Sequence, residues 1–289
     1  MSDTAKGAAL RSDAVVGRLV VCPTPIGNLQ DVTLRVLAAL RDADVIACED
    51  TRRTRVLLDR YGVSGRLVSY HEHNESARAT ELVSRMEAGE TVALVSDAGM
   101  PLVSDPGFEL VRACVAAGLA VEVLPGPSAV LAALVASGLA AERWRFVGFL
   151  PRKAGELRAL LDGAETLVAF ESPGRLAASL TVLAQADPGR PVAVCRELTK
   201  LHEEVVRASA HELADRYRAA APRGEIVLVV GPAAPTAPEA RKLHAAVSAL
   251  ERLIAAGAKP RPAAAVVGEL TGHTANQLYR ARQHPPTDG

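Results

Sequence analysis

Short apolar runs recur along the chain, and each ends in a polar turn rich in glycine or proline that feeds an amphipathic stretch. Leu19-Val-Val-Cys22 leads into Pro23-Thr-Pro-Ile-Gly-Asn-Leu29, and Thr91-Val-Ala-Leu-Val95 into the loop spanning residues 96–107. Val121-Glu-Val-Leu124 leads into Pro125-Gly-Pro-Ser128, and Thr166-Leu-Val-Ala-Phe170 into Glu171-Ser-Pro-Gly174. Runs of this length read as buried strands. Between them apolar residues recur at helical spacing, as with Leu34, Leu37 and Leu40 in a helix predicted over residues 31–41. Further helices are predicted over residues 51–61, 75–88, 108–117 and 128–137. Gly62, Gly89 and Gly118 stand where a left-handed helix cap is wanted. Strands alternating with helices predict an α/β fold with a mostly parallel sheet covered on both faces. Such sheets bind ligands beyond the carboxyl ends of their strands, so the four strand-end loops predict one shared cleft.

Beyond residue 140 the pattern changes. Residues 144–150, 166–170, 191–195, 203–209 and 225–230 read as strands with fewer helices between them, which predicts a second domain built on a mixed sheet. The domains expected are a flexible tail over residues 1–17, an N-terminal α/β domain over 18–143 and a second α+β domain over 144–231. A stiff linker rich in proline and alanine follows over 232–239, then a small helical appendage over 240–289. In the appendage, helices over 239–255 and 261–270 flank Gly257. The stretch from Thr271 to Tyr279 then suits a helical hairpin or a helix-turn-helix.

Composition narrows the function classes. With 289 residues the chain has room for two domains, at about 100–200 residues each. Aromatics make up 3% of it, too few for a platform that stacks successive bases. Lys and Arg balance Asp and Glu at 33 each, so any grip on a polyanion comes from local patches. Cys22, Cys48, Cys114 and Cys195 lack the paired spacings of zinc sites and read as small buried hydrophobes, so no metal is expected. No signal peptide is read, and the apolar stretch over residues 129–136 is too short to span a bilayer, so a cytoplasmic protein without a membrane partner is expected. The chain has no Gly-x-Gly-x-x-Gly, no P-loop and no Gly-x-Ser-x-Gly elbow.

Taken in order, several words are specific: Pro23-Thr-Pro-Ile-Gly-Asn-Leu29, Glu49-Asp-Thr-Arg-Arg53, His71-Glu-His-Asn-Glu75, Ser96-Asp-Ala-Gly99 with Ser104-Asp-Pro-Gly107, Pro125-Gly-Pro-Ser-Ala129, Glu171-Ser-Pro173, and Arg196-Glu-Leu-Thr-Lys-Leu-His-Glu-Glu204. Together, over about residues 18–231, they resemble the ribosomal small subunit methyltransferase I family of the tetrapyrrole methylase superfamily, the class III S-adenosylmethionine-dependent methyltransferases. The terminal segment resembles that family's helix-turn-helix appendage. The resemblance implies a homodimer that holds S-adenosylmethionine between two domains and releases S-adenosylhomocysteine. The implied reaction is methylation of the ribose 2′-hydroxyl of a cytidine in the decoding region of 16S rRNA, within the small subunit. The alternatives are a C-methyltransferase of corrin or porphyrin precursors on the same fold, and a non-enzymatic RNA-binding protein.

A zwitterionic, sulfonium-bearing cofactor needs polar contacts at one end and apolar walls at the other. The 96–107 loop offers Asp97 and Ser104 as polar contacts, with Ala98 beside them and Leu102 and Val103 as walls. The resemblance adds Pro25, Ser128, Ala129, Phe170, Leu198, Glu225 and Ile226. Capping of its own turn competes for Asp97, and core packing competes for Leu198 and Ile226. A ribose hydroxyl is a weak acid, so a base or a cation beside the developing alkoxide would help. Lys200, Glu171 and Asp50 are candidates, with Glu197 and His202 beside them, and the sequence selects none. Arg52, Arg53, His71, His73, Asn74 and His202 are expected on the substrate side. Met100 and Gly174 depart from the family pattern, standing where threonine and histidine are usual.

Overall fold

The computed structural model describes residues 17–161, 163, 165–233 and 237–283. Residues 1–16 of the expected tail, linker residues 234–236 and residues 284–289 lie outside the described residues. The chain divides into two compact units, Met1–Pro232 and Ala233–Gly289.

The first unit opens with five strands, β1 (Arg18–Val21), β2 (Val45–Cys48), β3 (Leu67–Ser69), β4 (Thr91–Val95) and β5 (Ala120–Val123). They pair in parallel in the order β3-β2-β4-β1-β5. Helices α1 (Leu34–Asp42), α2 (Thr51–Arg60), α3 (Glu75–Glu87) and α4 (Phe108–Ala116) connect them, and α5 (Ala129–Ser137) follows β5. Leu37, Leu40, Leu57 and Leu58 of α1 and α2 fill one face of the sheet. Leu82, Met86, Leu110 and Cys114 of α3 and α4 fill the other. Each fully buried leucine contributes about 1.5–3 kcal/mol.

Two differences from the expected elements have local causes. The helix predicted from residue 31 begins at Leu34, because the Thr33 hydroxyl accepts from Val36 N at 3.1 Å and a 3-10 turn occupies Leu29–Asp31. Strands β2 and β3 were not marked by periodicity. They are four and three residues long, and β2 is buried throughout, so it shows no alternation.

The second sheet contains β6 (Trp144–Phe149), β7 (Thr166–Glu171), β8 (Pro191–Arg196), β9 (Glu204–Ser209) and β10 (Ile226–Val230), ordered β6-β7-β10-β8-β9. Only β6 and β7 run parallel. Central β10 is apolar at every position because both faces are covered. Its Ile226, Leu228 and Val230 join the core made with α6 (Ala154–Leu161), α7 (Pro173–Ala186) and α8 (Ala210–Ala219). Its Val227 and Val229 pack with Val130, Ala133 and Leu134 of α5. Helix α5 leaves the first sheet and packs on the second, so its amino end stands where the two meet.

In the second unit, α9 (Ala237–Ala255), α10 (Pro260–Thr271) and α11 (Ala275–Gln283) enclose Ala246, Leu250, Ala263, Ala264, Val267 and Leu278. The stretch expected as a turn ends in this third helix, capped where Gln277 N donates to the Thr274 hydroxyl and Gln277 Oε1 accepts from Thr274 N. Among the described residues no helix is long and apolar enough to cross a membrane.

Candidate functional site

Chain order places the site. From β1 the chain crosses to β2 over one face of the first sheet, and from β4 it crosses to β5 over the other, as the two leucine-rich cores show. Neighbouring strands whose connections diverge in this way open a crevice beyond their carboxyl ends. The loops after β1 and β4 are tied together there. Thr24 N donates to Gly99 O at 2.8 Å, Gly99 N donates to Thr24 O at 3.0 Å, and the Thr24 hydroxyl donates to Ser96 O at 3.0 Å. Leu102 and Ser104 adopt φ of 71° and 66°. Non-glycine residues held in that region cost about 1–3 kcal/mol each and cluster at ligand sites.

A cleft of about 370 Å³ lies between this crevice and the strand ends of the second sheet. Of the residues expected at a cofactor, Ala98, Val103, Ser128, Ala129, Phe170, Leu198, Glu225 and Ile226 line it. Glu171, expected in catalysis, lines it as well, and so does the divergent Met100. Ile26, Gly99 and Ser172, which stand inside the sequence motifs without an expected role, also form its walls, and so do Phe149 and Val227 from the strand runs. Four expected residues do not line the cleft: Pro25, Asp97, Leu102 and Ser104. Asp97 faces α2, accepting from Asp50 N at 3.0 Å and pairing with Arg53 at 3.3 Å. Leu102 packs against the core beneath α4, over Gly107, where a Cβ would lie 2.7 Å from the leucine side chain. The Ser104 hydroxyl lies beside Gly148 of β6, 3.7 Å from where a Cβ on that glycine would stand. The cleft suits a mixed ligand, since apolar Ile26, Val103, Leu198, Ile226 and Val227 share its lining with Ser128 and Ser172 and the amino end of α5.

The three candidate bases are all engaged. The Glu171 side chain is 0% exposed. It accepts from Ser172 N at 2.7 Å and from the Ser179 hydroxyl at 2.5 Å, and it pairs with Arg175 at 3.4 Å, pinning the first turns of α7 to β7. Lys200 Nζ donates to Glu197 at 2.9 Å and to Glu225 at 3.0 Å. Partial burial alone would lower the pKa of the ammonium, but the two carboxylates outweigh it and raise it, so Lys200 is a cation. Asp50 caps α2 and is gripped by Arg52, which holds its carboxyl far below the usual carboxylate range. Glu197 is tied in turn to the Glu225 amide, over Gly224, where a Cβ would strike the carboxylate at 2.5 Å. This clamp holds Leu198 and the 224–227 segment on the same side of the cleft.

One carboxyl that sequence reasoning passed over titrates near neutrality. Burial, then the charge of Glu49, then that of Asp97 push Asp105 up to about 7, against a lowering hydrogen bond from Ser96. Asp105 reads in sequence as one more turn residue; its neighbours across the strand ends were invisible there.

Residues expected on the substrate side do not line the cleft. Asn74 closes a turn, accepting from His71 N at 2.9 Å and donating to Ser69 O at 3.1 Å. His71 and His73 stand with ring centroids 5.9 Å apart, and the buried His71 Nδ1 has no partner. Arg52 and Arg53 lie exposed on α2, and His202 is exposed at the β8–β9 turn. Burial pushes the thiols up, to about 12 for Cys22 and about 11 for Cys114 and Cys195, so these are inert core groups. Among the described residues no group of three or more His, Cys, Asp or Glu is arranged to hold a metal ion.

Comparison with known proteins agrees with this architecture. The tetrapyrrole (corrin/porphyrin) methylase family matches residues 18–214. The ribosomal RNA small subunit methyltransferase I of Mesorhizobium japonicum is 48% identical over 91% of this chain and 90% of its own. That of Mycobacterium tuberculosis H37Rv is 46% identical, covering 92% of this chain and 94% of the relative. Among solved structures, uroporphyrin-III-C-methyltransferase from Thermus thermophilus superposes with a TM-score of 0.56 at 26% identity, covering 74% of this chain and 94% of that one. Alike in fold to the tetrapyrrole methylases and close in sequence over nine-tenths of its length to enzymes of a single name, the chain belongs to the ribosomal RNA small subunit methyltransferase I family.

Proposed function

We propose that the protein transfers a methyl group from S-adenosylmethionine to the ribose 2′-hydroxyl of a cytidine in the decoding region of 16S rRNA. The observation that carries this reading is the cleft at the divergence of β1 and β4, walled on its far side by the second sheet, in a chain so similar to the rRNA methyltransferases. The homodimer and the cytoplasmic location belong to the same reading. Ile26, Val103, Leu198, Ile226 and Val227 would enclose the apolar part of the cofactor. The amino end of α5, with Ser128 and Ala129, would receive its carboxylate, as helix N-termini favour anions. The bound cofactor supplies an electrophilic methyl on a sulfonium.

The chain's own residues then work by alignment, which is where most of the gain in such a displacement lies. The Glu197 clamp fixes Leu198 and the 224–227 segment, so the far wall is set before the substrate arrives. Lys200, held as a cation by Glu197 and the cleft-lining Glu225, stabilises negative charge developing on the ribose oxygen. Glu171 is a positioning residue, since its carboxylate is saturated by Ser172, Ser179 and Arg175.

Calorimetric titration with S-adenosylmethionine tests the cofactor half of this reading. The wild-type chain is expected to bind, and Ala129→Trp, which fills the cleft from the first turn of α5, to lose binding with its melting temperature kept. A wild-type chain that binds no S-adenosylmethionine overturns the reading. A protein that binds it and methylates a porphyrinogen in place of RNA points to the tetrapyrrole activity.

A further inference from the structure

Phe149 stands on the wall of the cleft with 59% of its surface exposed, in a chain with only four phenylalanines. Its position is built. Residues three apart on a regular strand face opposite ways, yet Phe146 and Phe149 both meet Phe170, with ring centroids 5.0 and 5.5 Å away and edge-to-face angles of 71° and 60°. The cause is a bulge in β6: Phe146 pairs with Val168 and Phe149 with Phe170, so three steps on β6 match two on β7. Gly148 absorbs the extra residue at a φ of 66°.

The backbone on the far side of Phe149 is fixed as well. Leu150 N donates to Phe170 O at 3.1 Å, and the Arg175 guanidinium donates to Leu150 O at 2.7 Å and Pro151 O at 3.0 Å. Arg175 is itself held by the buried Glu171. The result is a rigid aromatic pedestal with an open face. Three residues on, Arg152 is exposed and pairs with no carboxylate among the described residues.

We infer that Phe149 stacks on a base of the RNA, beside the ribose that accepts the methyl group, while Arg152 meets a neighbouring phosphate. This rests on the proposed RNA substrate and adds the residue that receives it. An apolar ring held open to solvent loses nothing by meeting the π-face of an unpaired base, and stacking of this kind tolerates any base. The adenine of the cofactor has a better place among the buried side chains Leu198, Ile226 and Val227.

The test uses the full chain with unmethylated small ribosomal subunits as acceptor and calorimetry for the cofactor. For Phe149→Ala and Phe149→Leu the expected result is a KM for subunits raised about tenfold or more, with the Kd for S-adenosylmethionine within about twofold of wild type. Phe149→Trp restores the subunit KM, and Arg152→Ala raises it with a shallower salt dependence. A Phe149→Leu enzyme with wild-type KM overturns the inference, as does a Phe149→Ala enzyme whose loss lies in cofactor affinity. If wild type transfers no methyl to subunits, the underlying reading fails first; fluorescence anisotropy with a labelled single-stranded RNA still decides the stacking role, since equal affinities of wild type and Phe149→Ala overturn it.

Discussion

Single side chains around the cleft are set by their neighbours more than by their type. Glu171, Lys200 and Asp50 are the residue types expected of a base, yet each is occupied: one by an amide, a hydroxyl and a guanidinium, one by two carboxylates, one by an adjacent arginine. Asp105 is the reverse case, an ordinary turn residue that is strongly perturbed. The folded chain keeps its proton up to about pH 7, while the unfolded chain releases it near the ordinary value of 3.8. Stability from this group therefore falls as pH rises from about 4 to about 7, and the cost is complete above that. Asp105→Asn removes the cost. Its gain in stability over wild type is expected to be larger at pH 8 than at pH 5, by about 1–2 kcal/mol after solvent screening of a partly exposed group. Chemical denaturation at the two pH values measures it, and a gain that does not grow with pH contradicts the assignment.

At the scale of elements, the strand-end loops shape the site, and they are also what the sequence shows best. Glycine and proline interrupt the apolar runs after β1, β4, β5 and β7, so the cleft was legible as a convergence of turns. What the turns do inside was not. The 96–107 loop alternates wall and anchor: Ala98, Gly99, Met100 and Val103 face the cleft, whereas Asp97 turns to α2 and Leu102 to the core. That division follows from left-handed backbone at Gly99, Leu102, Ser104 and Gly107, a conformation that no hydrophobic periodicity encodes. Gly107 is the sharpest case, since an added Cβ would lie 2.7 Å from Leu102 and 3.0 Å from Leu94 at a φ of 139°. Gly107→Ala is expected to lose about 2 kcal/mol or more, read by denaturant melts. A neutral substitution would mean that the loop adapts freely. The β6 bulge was hidden for the same reason, because residues 144–150 read as one regular strand, with no sign that Gly148 shifts the register before Phe149.

At the scale of the whole molecule, a parallel sheet supplies the crevice, a mixed sheet supplies the far wall, and α5 joins them. The two-sheet plan was legible from the change in strand spacing after residue 140. The short strands β2 and β3 and the third helix of the terminal unit were not, since each is brief and lacks a periodic signal of its own. The fold is shared with a uroporphyrin-III-C-methyltransferase, so architecture alone leaves the acceptor open. The most direct measurement supplies methyl-labelled S-adenosylmethionine and small ribosomal subunits from cells lacking this activity, then digests the RNA to nucleosides. Label is expected in 2′-O-methylcytidine from 16S rRNA. Label on a base, or label that enters only a porphyrinogen, would contradict it.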